Sequence, residues 1–270
     1  MSTQATAPAA VARGDARHHW IALLTVARRE VMRILRIWSQ TLVPPAITMV
    51  LYFLIFGQLI GSRIGDMGGY TYMDFIVPGL VMMSVIQNSY GNISSSFFGA
   101  KFGRHVEELL VSPMPNWVIL GGYVAGAVLR GLMVGVIVLC IAMLFTDVRI
   151  PHPLVTLSTV LLGATIFSLA GFINAVFARK FDDVAIVPTF ILTPLTYLGG
   201  VFYSVRLLPQ WAETATYANP IFYMVNAFRY GLLGSSDVPL ATAYALMLFF
   251  VAALGALALW LLHRGVGLRS

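Results

Sequence analysis

The chain has 270 residues, of which 59% are apolar and 10% charged, and its mean hydropathy is +0.83. An average soluble domain is about a quarter charged, so this chain cannot cover a water-facing surface; its main solvent must be lipid, which argues against a soluble enzyme. The net charge is +6, and Arg supplies 15 of the 17 basic residues. The single cysteine, Cys140, lies in an apolar run and excludes a disulfide framework or a cysteine zinc site.

The first 16 residues are rich in Ala, Ser, Thr and Pro without an apolar run. Residues 1–18 are therefore expected to form a disordered cytoplasmic tail rather than a signal peptide. From Trp20 the pattern becomes helical: Trp20, Leu24, Ala27, Val31, Ile34, Leu35 and Trp38 share one face and Arg29, Arg33 and Arg36 lie opposite. That predicts an amphipathic interfacial helix over 19–36, serving as a lipid anchor or also contacting a cytoplasmic partner.

About 20 apolar residues suffice to cross roughly 30 Å of hydrocarbon as a helix. Six stretches qualify: 37–62, 75–100, 116–146 (interrupted only by Arg130), 154–178, 184–205 and 240–262. Residues 206–238 are too polar and proline-broken to span, yet carry Ile221, Phe222, Tyr223, Met224, Val225 and Phe228. They predict a helical hairpin dipping into the outer leaflet. The expected fold class is an all-α membrane protein, with six transmembrane helices in a domain over 37–265, the N-terminal interfacial helix and an extracellular re-entrant hairpin.

Basic residues set the orientation, because cytoplasmic loops retain Lys and Arg. With both termini inside, twelve fall in the cytoplasm (Arg13, Arg17, Arg28, Arg29, Arg33, Arg36, Lys101, Arg104, Arg179, Lys180, Arg264 and Arg269) and four outside (Arg63, Arg149, Arg206 and Arg229).

Intramembrane ionisable groups mark proton and ion pathways. All eleven acidic residues and all five histidines fall in predicted loops or at span ends, so a proton-driven antiporter lacks its coupling carboxylate. An intramembrane hydrolase lacks a base beside a nucleophile, and no transition-metal ligand cluster is visible. A P-loop needs a Lys after Gly. Lys101 follows Ala100 and Lys180 follows Arg179, so the chain holds no P-loop and no cofactor of its own; an ATP-driven process would need a second polypeptide.

After the second stretch, residues 101–113 put Val106, Leu109 and Leu110 on one side of a short helix stopped by Pro113 and Pro115. Such a helix can seat in a partner's groove or lie on the headgroups. The string RHVEELLVSP from Arg104 to Pro113 resembles the coupling-helix segment of the type-two ATP-binding-cassette exporter permeases. PLTYLGGVFY from Pro194 to Tyr203, then Leu208-Pro209, then NPIFYMVNAFR from Asn219 to Arg229, are similar to that family's fifth span and extracellular hairpin. The resemblance covers about residues 20 to 265.

The resemblance implies an inner-membrane permease of bacteria that acts as a homodimer. It would be driven by a separate ATPase chain holding ATP and Mg²⁺, contacting lipid but no nucleic acid, and would export an amphipathic substrate such as a lipid, lipid-linked glycan or drug. Glu107, Glu108, Leu109 and Leu110 would enter a cleft of the ATPase, with Arg28, Arg29 and Arg33 flanking the contact. Asn219, Pro220 and Arg229 would belong to an outer gate, although a turn starter and a snorkelling Arg explain them without any gating role.

The path would lie between protomers, with Tyr52, Phe53, Phe56, Tyr197 and Phe202 as candidate lining residues or simple packing. Arg130 lies about 21 Å along its helix at 1.5 Å per residue, near the depth of Gln87, Asn88 and Asn92. Arg130, Gln87 and Asn88 are expected to lie on the substrate path, or Arg130 to be a structural residue paired with those amides. Gly122 and Gly126, and Gly131 and Gly135, are small-residue pairs that favour close helix contacts. A non-transporting scaffold or channel, lacking an ATPase partner, is the alternative function.

Overall fold

The computed structural model describes residues 11–267 apart from 68 and 113; the side chains of 11–15, 62, 110 and 206 also lie outside the described set. Part of the expected tail and the Leu110 side chain thus fall outside it. The first helix, α1 (Val11–Arg36), begins within the segment expected to be tail. After it, α2 (Trp38–Thr41), α3 (Val43–Tyr52), a π-helical stretch (Phe53–Ile60) and α4 (Gly61–Ile64) continue along the first predicted span. Pro44 and Pro45 sit in the first turn of α3, where a missing N–H costs nothing. A two-stranded antiparallel ribbon, β1 (Asp66–Met67) with β2 (Tyr70–Thr71), departs from the all-α expectation and pairs Asp66 with Thr71.

The bundle is organised around α5 (Tyr72–Phe102), a 31-residue helix about 46 Å long at helical rise. It packs against α7 (Asn116–Ala142), α8 (Pro153–Phe177) and, later in the chain, α12 (Pro220–Leu233). The short α6 (His105–Val111) follows α5. Thr71 caps α5, its hydroxyl accepting from the Asp74 N–H at 3.3 Å. Ser84, Ser89, Asn92 and Ser94 are buried on α5, more buried polar side chains than any other helix carries among the described residues; Ser84 Oγ donates back to the Leu80 carbonyl at 2.9 Å.

The fifth predicted span is interrupted. It consists of α9 (Phe181–Val187), a π-helical turn (Pro188–Leu192) and α10 (Thr193–Tyr197), so its helix ends eight residues before the predicted boundary. A glycine turn follows, with Gly200 at φ +72°. The hairpin segment forms two helices, α11 (Gln210–Tyr217) and α12, and the chain closes on α13 (Leu240–Arg264) against α8. Among the described residues, four helical stretches are long and apolar enough to cross a membrane: Trp38–Ile60, Asn116–Ala142, Pro153–Phe177 and Leu240–Arg264.

The glycine pairs on α7 have distinct neighbours. A Cβ on Gly122 or Gly126 would strike Val26 or Glu30 of α1, and one on Gly131 or Gly135 would strike Ser89 or Val85 of α5. One helix therefore admits two partners at close range through two small-residue faces.

Candidate functional site

At one end of the bundle, α1 lies along α7 and presents Val26, Glu30 and Ile34 inward at helical spacing. The predicted amphipathic face splits: Ile34 is buried, whereas Trp20, Leu24, Leu35 and Trp38 are exposed. Glu30, counted from the sequence among the acidic residues of loops and span ends, is only 2% exposed. Its Oε2 accepts from Ser96 Oγ of α5 at 2.6 Å and from Arg33 Nε and Nη2 at 3.2 and 3.0 Å. Arg29 Nη2 reaches Glu30 Oε1 at 3.5 Å and donates to the Tyr123 hydroxyl at 2.6 Å. Removing an acceptor from such a buried network would leave charged donors without compensation, which is costly in a low-dielectric interior.

The network continues into the bundle. Arg33 Nη2 donates to Asn92 Oδ1 at 2.8 Å. Arg130 of α7 reaches the same oxygen at 3.5 Å, Asn88 Oδ1 at 3.3 Å and the Thr41 carbonyl at 3.3 Å. The expected amide pairing of Arg130 is thus present through Asn88 and Asn92; Gln87, half-buried on the same helix, is not among the acceptors that hold it. Sequence reading missed Glu30 and Ser96. A usable signal was present: Glu30 falls four residues after Val26 and opposite the Gly122/Gly126 notch, between Arg29 and Arg33.

Beside this network, α6 leaves α5 through Arg104, the one non-glycine residue with positive φ (60°) among those described. Val106 is buried and half-buried Leu109 packs on the core that includes Phe97 and Phe98. The apolar side of α6 is therefore used within this chain, and Glu107, Glu108 and Val111 face outward. The next turn is tied to it: Lys101 Nζ donates to the Val176 and Ala178 carbonyls at 2.6 and 2.8 Å, satisfying the end of α8. Asp183 Oδ2 accepts from the Arg179 and Lys180 N–H groups at 2.8 and 3.0 Å, bonds that hold its carboxyl below the usual range.

Nearer the other end, the Tyr52 and Tyr197 hydroxyls meet at 2.9 Å. Phe202 packs on Phe56, Tyr197 and Tyr52 with ring centroids 4.7, 5.8 and 6.1 Å apart. Four of the five candidate aromatics form one cluster between the first and fifth predicted spans. Phe53 is the exception: it turns inward, fully buried, and stacks on Phe145.

The hairpin residues have structural partners. Asn219 caps α12, its Oδ1 accepting from the Ile221 N–H at 3.0 Å, and its Nδ2 donates to the Leu195 carbonyl at 2.6 Å. Pro220 occupies the first helical position. Arg229 is 2% exposed rather than at a headgroup surface. Its Nη2 donates to the Gly200 carbonyl at 2.7 Å, and its guanidinium lies 4.0 Å from the Phe75 ring centroid. It fastens α12 to the turn after α10 and to α5.

Apolar helices able to cross a bilayer, wrapped around a polar-lined central helix, define a multi-pass membrane protein whose polar chemistry is internal. Comparison with known proteins specifies it further: the ABC-2 type transporter family matches residues 21–233, and the chain belongs to that family. It is 56% identical over 252 residues to the inner membrane transport permease YadH of Escherichia coli K12, covering 93% of this chain and 98% of that one. It is also 24% identical over 241 residues to nodulation protein J of Neorhizobium galegae, covering 86% and 88% of the two chains, and 24% identical over 184 residues to that of Sinorhizobium fredii, covering 68% and 70%. The chain is therefore an ABC-2 permease.

Proposed function

We propose that the chain is the membrane subunit of an exporter in the bacterial inner membrane. It crosses six times with both termini in the cytoplasm, works as a homodimer, and takes its energy from ATP and Mg²⁺ bound to a separate ATP-binding-cassette ATPase. The observation that carries this reading is the uncovered flank of Trp38–Ile60: only 11% of the residues in its most apolar 18-residue part are buried within one chain. Its Tyr52 and Phe56 join Tyr197 and Phe202 in one aromatic cluster. An apolar flank beside an aromatic cluster suits a second copy of the chain and a path for an amphipathic substrate.

In this reading 37–265 is the permease domain, 1–18 the tail, 19–36 the interfacial helix, 101–113 the coupling segment and 206–238 a re-entrant hairpin. Tyr52, Phe56 and Tyr197 line the path. Asn88 and Arg130 stand behind it and tie α5 to α7, with Gln87 beside them at the same depth of α5. Glu107 and Glu108 form the ATPase contact, Leu109 seats α6 on the chain's own core, and Arg29 and Arg33 brace the contact through α1. Asn219, Pro220 and Arg229 hold the hairpin as one body at the outer gate. Closure of the ATPase dimer would push α6 and tilt each protomer as a rigid unit between two packed states.

The test is purification of the tagged chain in mild detergent from cells that also express the candidate ATPase, followed by ATP-dependent uptake of a fluorescent amphiphile into inverted membrane vesicles. Co-purification with ATP-driven uptake is expected. A dimer that captures no ATPase and passes solute without ATP would replace the exporter by a channel.

A further inference from the structure

A cavity of about 550 Å³ opens between α1 and the end of α5. Arg29, Arg33 and Arg36 line it together with Met32, Ile37 and Ala100. Glu30 is its one acidic lining residue, and that carboxylate is already bonded to Ser96, Arg33 and Arg29. Three guanidinium groups therefore face one carboxylate whose oxygens are in use. Arg29 and Arg33 remain reachable, with side chains 49% and 33% exposed. Each Arg carries five donors. The recorded side-chain bonds of Arg29 use Nη2 and those of Arg33 use Nε and Nη2, so Nη1 is available on both.

We infer that this cavity binds the phosphate group of an anionic amphiphile of the inner leaflet. Excess positive charge held as planar forks suits a group with several acceptor oxygens. Met32, Ile37 and Ala100 give the same cavity an apolar wall, and Leu35 of α1 and Trp38 of α2 add exposed apolar surface nearby in the chain. A soluble phosphate would use the arginines and leave that wall empty; a lipid uses both. The inference deepens the exporter reading and rests on α1 lying at the headgroups of the cytoplasmic leaflet.

The test uses the full-length chain in detergent, without nucleotide or ATPase, so that it succeeds or fails separately from co-purification. Thermal shift and native mass spectrometry follow titrations with dihexanoyl phosphatidic acid, with dihexanoylglycerol as the phosphate-free control, and with inorganic phosphate. Phosphatidic acid is expected to raise Tm saturably and dihexanoylglycerol to leave it unchanged. The double variant Arg29→Gln/Arg36→Gln should weaken binding about a hundredfold, roughly tenfold for each lost charge-assisted contact. Should the double variant not fold, Arg36→Gln alone should weaken binding about tenfold. Equal affinity in wild type and the folded variant would overturn the site. Inorganic phosphate binding as tightly as the lipid would overturn the lipid assignment.

Discussion

Arg33 on α1 and Arg130 on α7 share one acceptor, the carboxamide oxygen of Asn92, at 2.8 and 3.5 Å. Two like charges thus converge on a neutral group, and the Glu30 carboxylate is bonded to only one of them, Arg33. Asn92→Asp supplies the missing negative charge at the same shape and is expected to raise stability by about 1–2 kcal/mol, whereas Asn92→Leu should lower it by a similar amount. Thermal unfolding in detergent measures both. A lower Tm for Asn92→Asp would show that the network already has all the negative charge it needs.

Arg130 reaches three acceptors on two segments, the Thr41 carbonyl and two side chains of α5. Lys keeps the charge but concentrates it on one ammonium that cannot span them, so Arg130→Lys should cost about 1–3 kcal/mol. Arg130→Gln removes a mid-bundle charge near Arg33 and is expected to melt at the same or a higher temperature while still transporting. A folded Arg130→Gln protein that no longer transports would instead put the guanidinium in contact with substrate.

On α6 the structure separates two roles that the sequence merged. Leu109 packs on the chain's own core, so Leu109→Asp should destabilise the permease itself by about 3 kcal/mol or more, through a buried unpaired charge. Exposed Glu107 and Glu108 can be reversed without that penalty. The double change Glu107→Lys/Glu108→Lys should preserve Tm and reduce ATPase co-purification several-fold. Full co-purification by the charge-reversed protein would falsify the coupling assignment.

The Tyr52–Tyr197 contact joins residues 145 positions apart. Tyr52→Phe and Tyr197→Phe each delete one hydroxyl and keep the ring. Each should cost about 0.5–1.5 kcal/mol, and the double variant little more than either single one. A double-mutant cycle on thermal stability measures this coupling. Additive losses would mean that the hydroxyls are not partners in the folded protein.

The sequence by itself determined the solvent, the succession of helices and the short helix after the second span. These follow from local quantities: apolar run length, charge placement and proline position. It also singled out Tyr52, Phe56, Tyr197, Asn88 and Arg130 as candidates, from residue type and depth along the predicted spans. Only the tertiary structure decided which way these side chains face. Phe53 and Phe56 are three residues apart on a π-helical stretch, yet Phe53 fills the core and stacks on Phe145 while half-buried Phe56 joins the aromatic cluster with Tyr52, Tyr197 and Phe202. Glu30 read as one more charge on an amphipathic helix. It became the centre of a buried network only because glycines of α7 let α1 approach closely enough to turn it inward. Arg229 likewise read as a surface cation, but the carbonyl that holds it belongs to Gly200, 29 residues away. Partners at such separations leave no periodic trace in the chain; the helix packing brings them together.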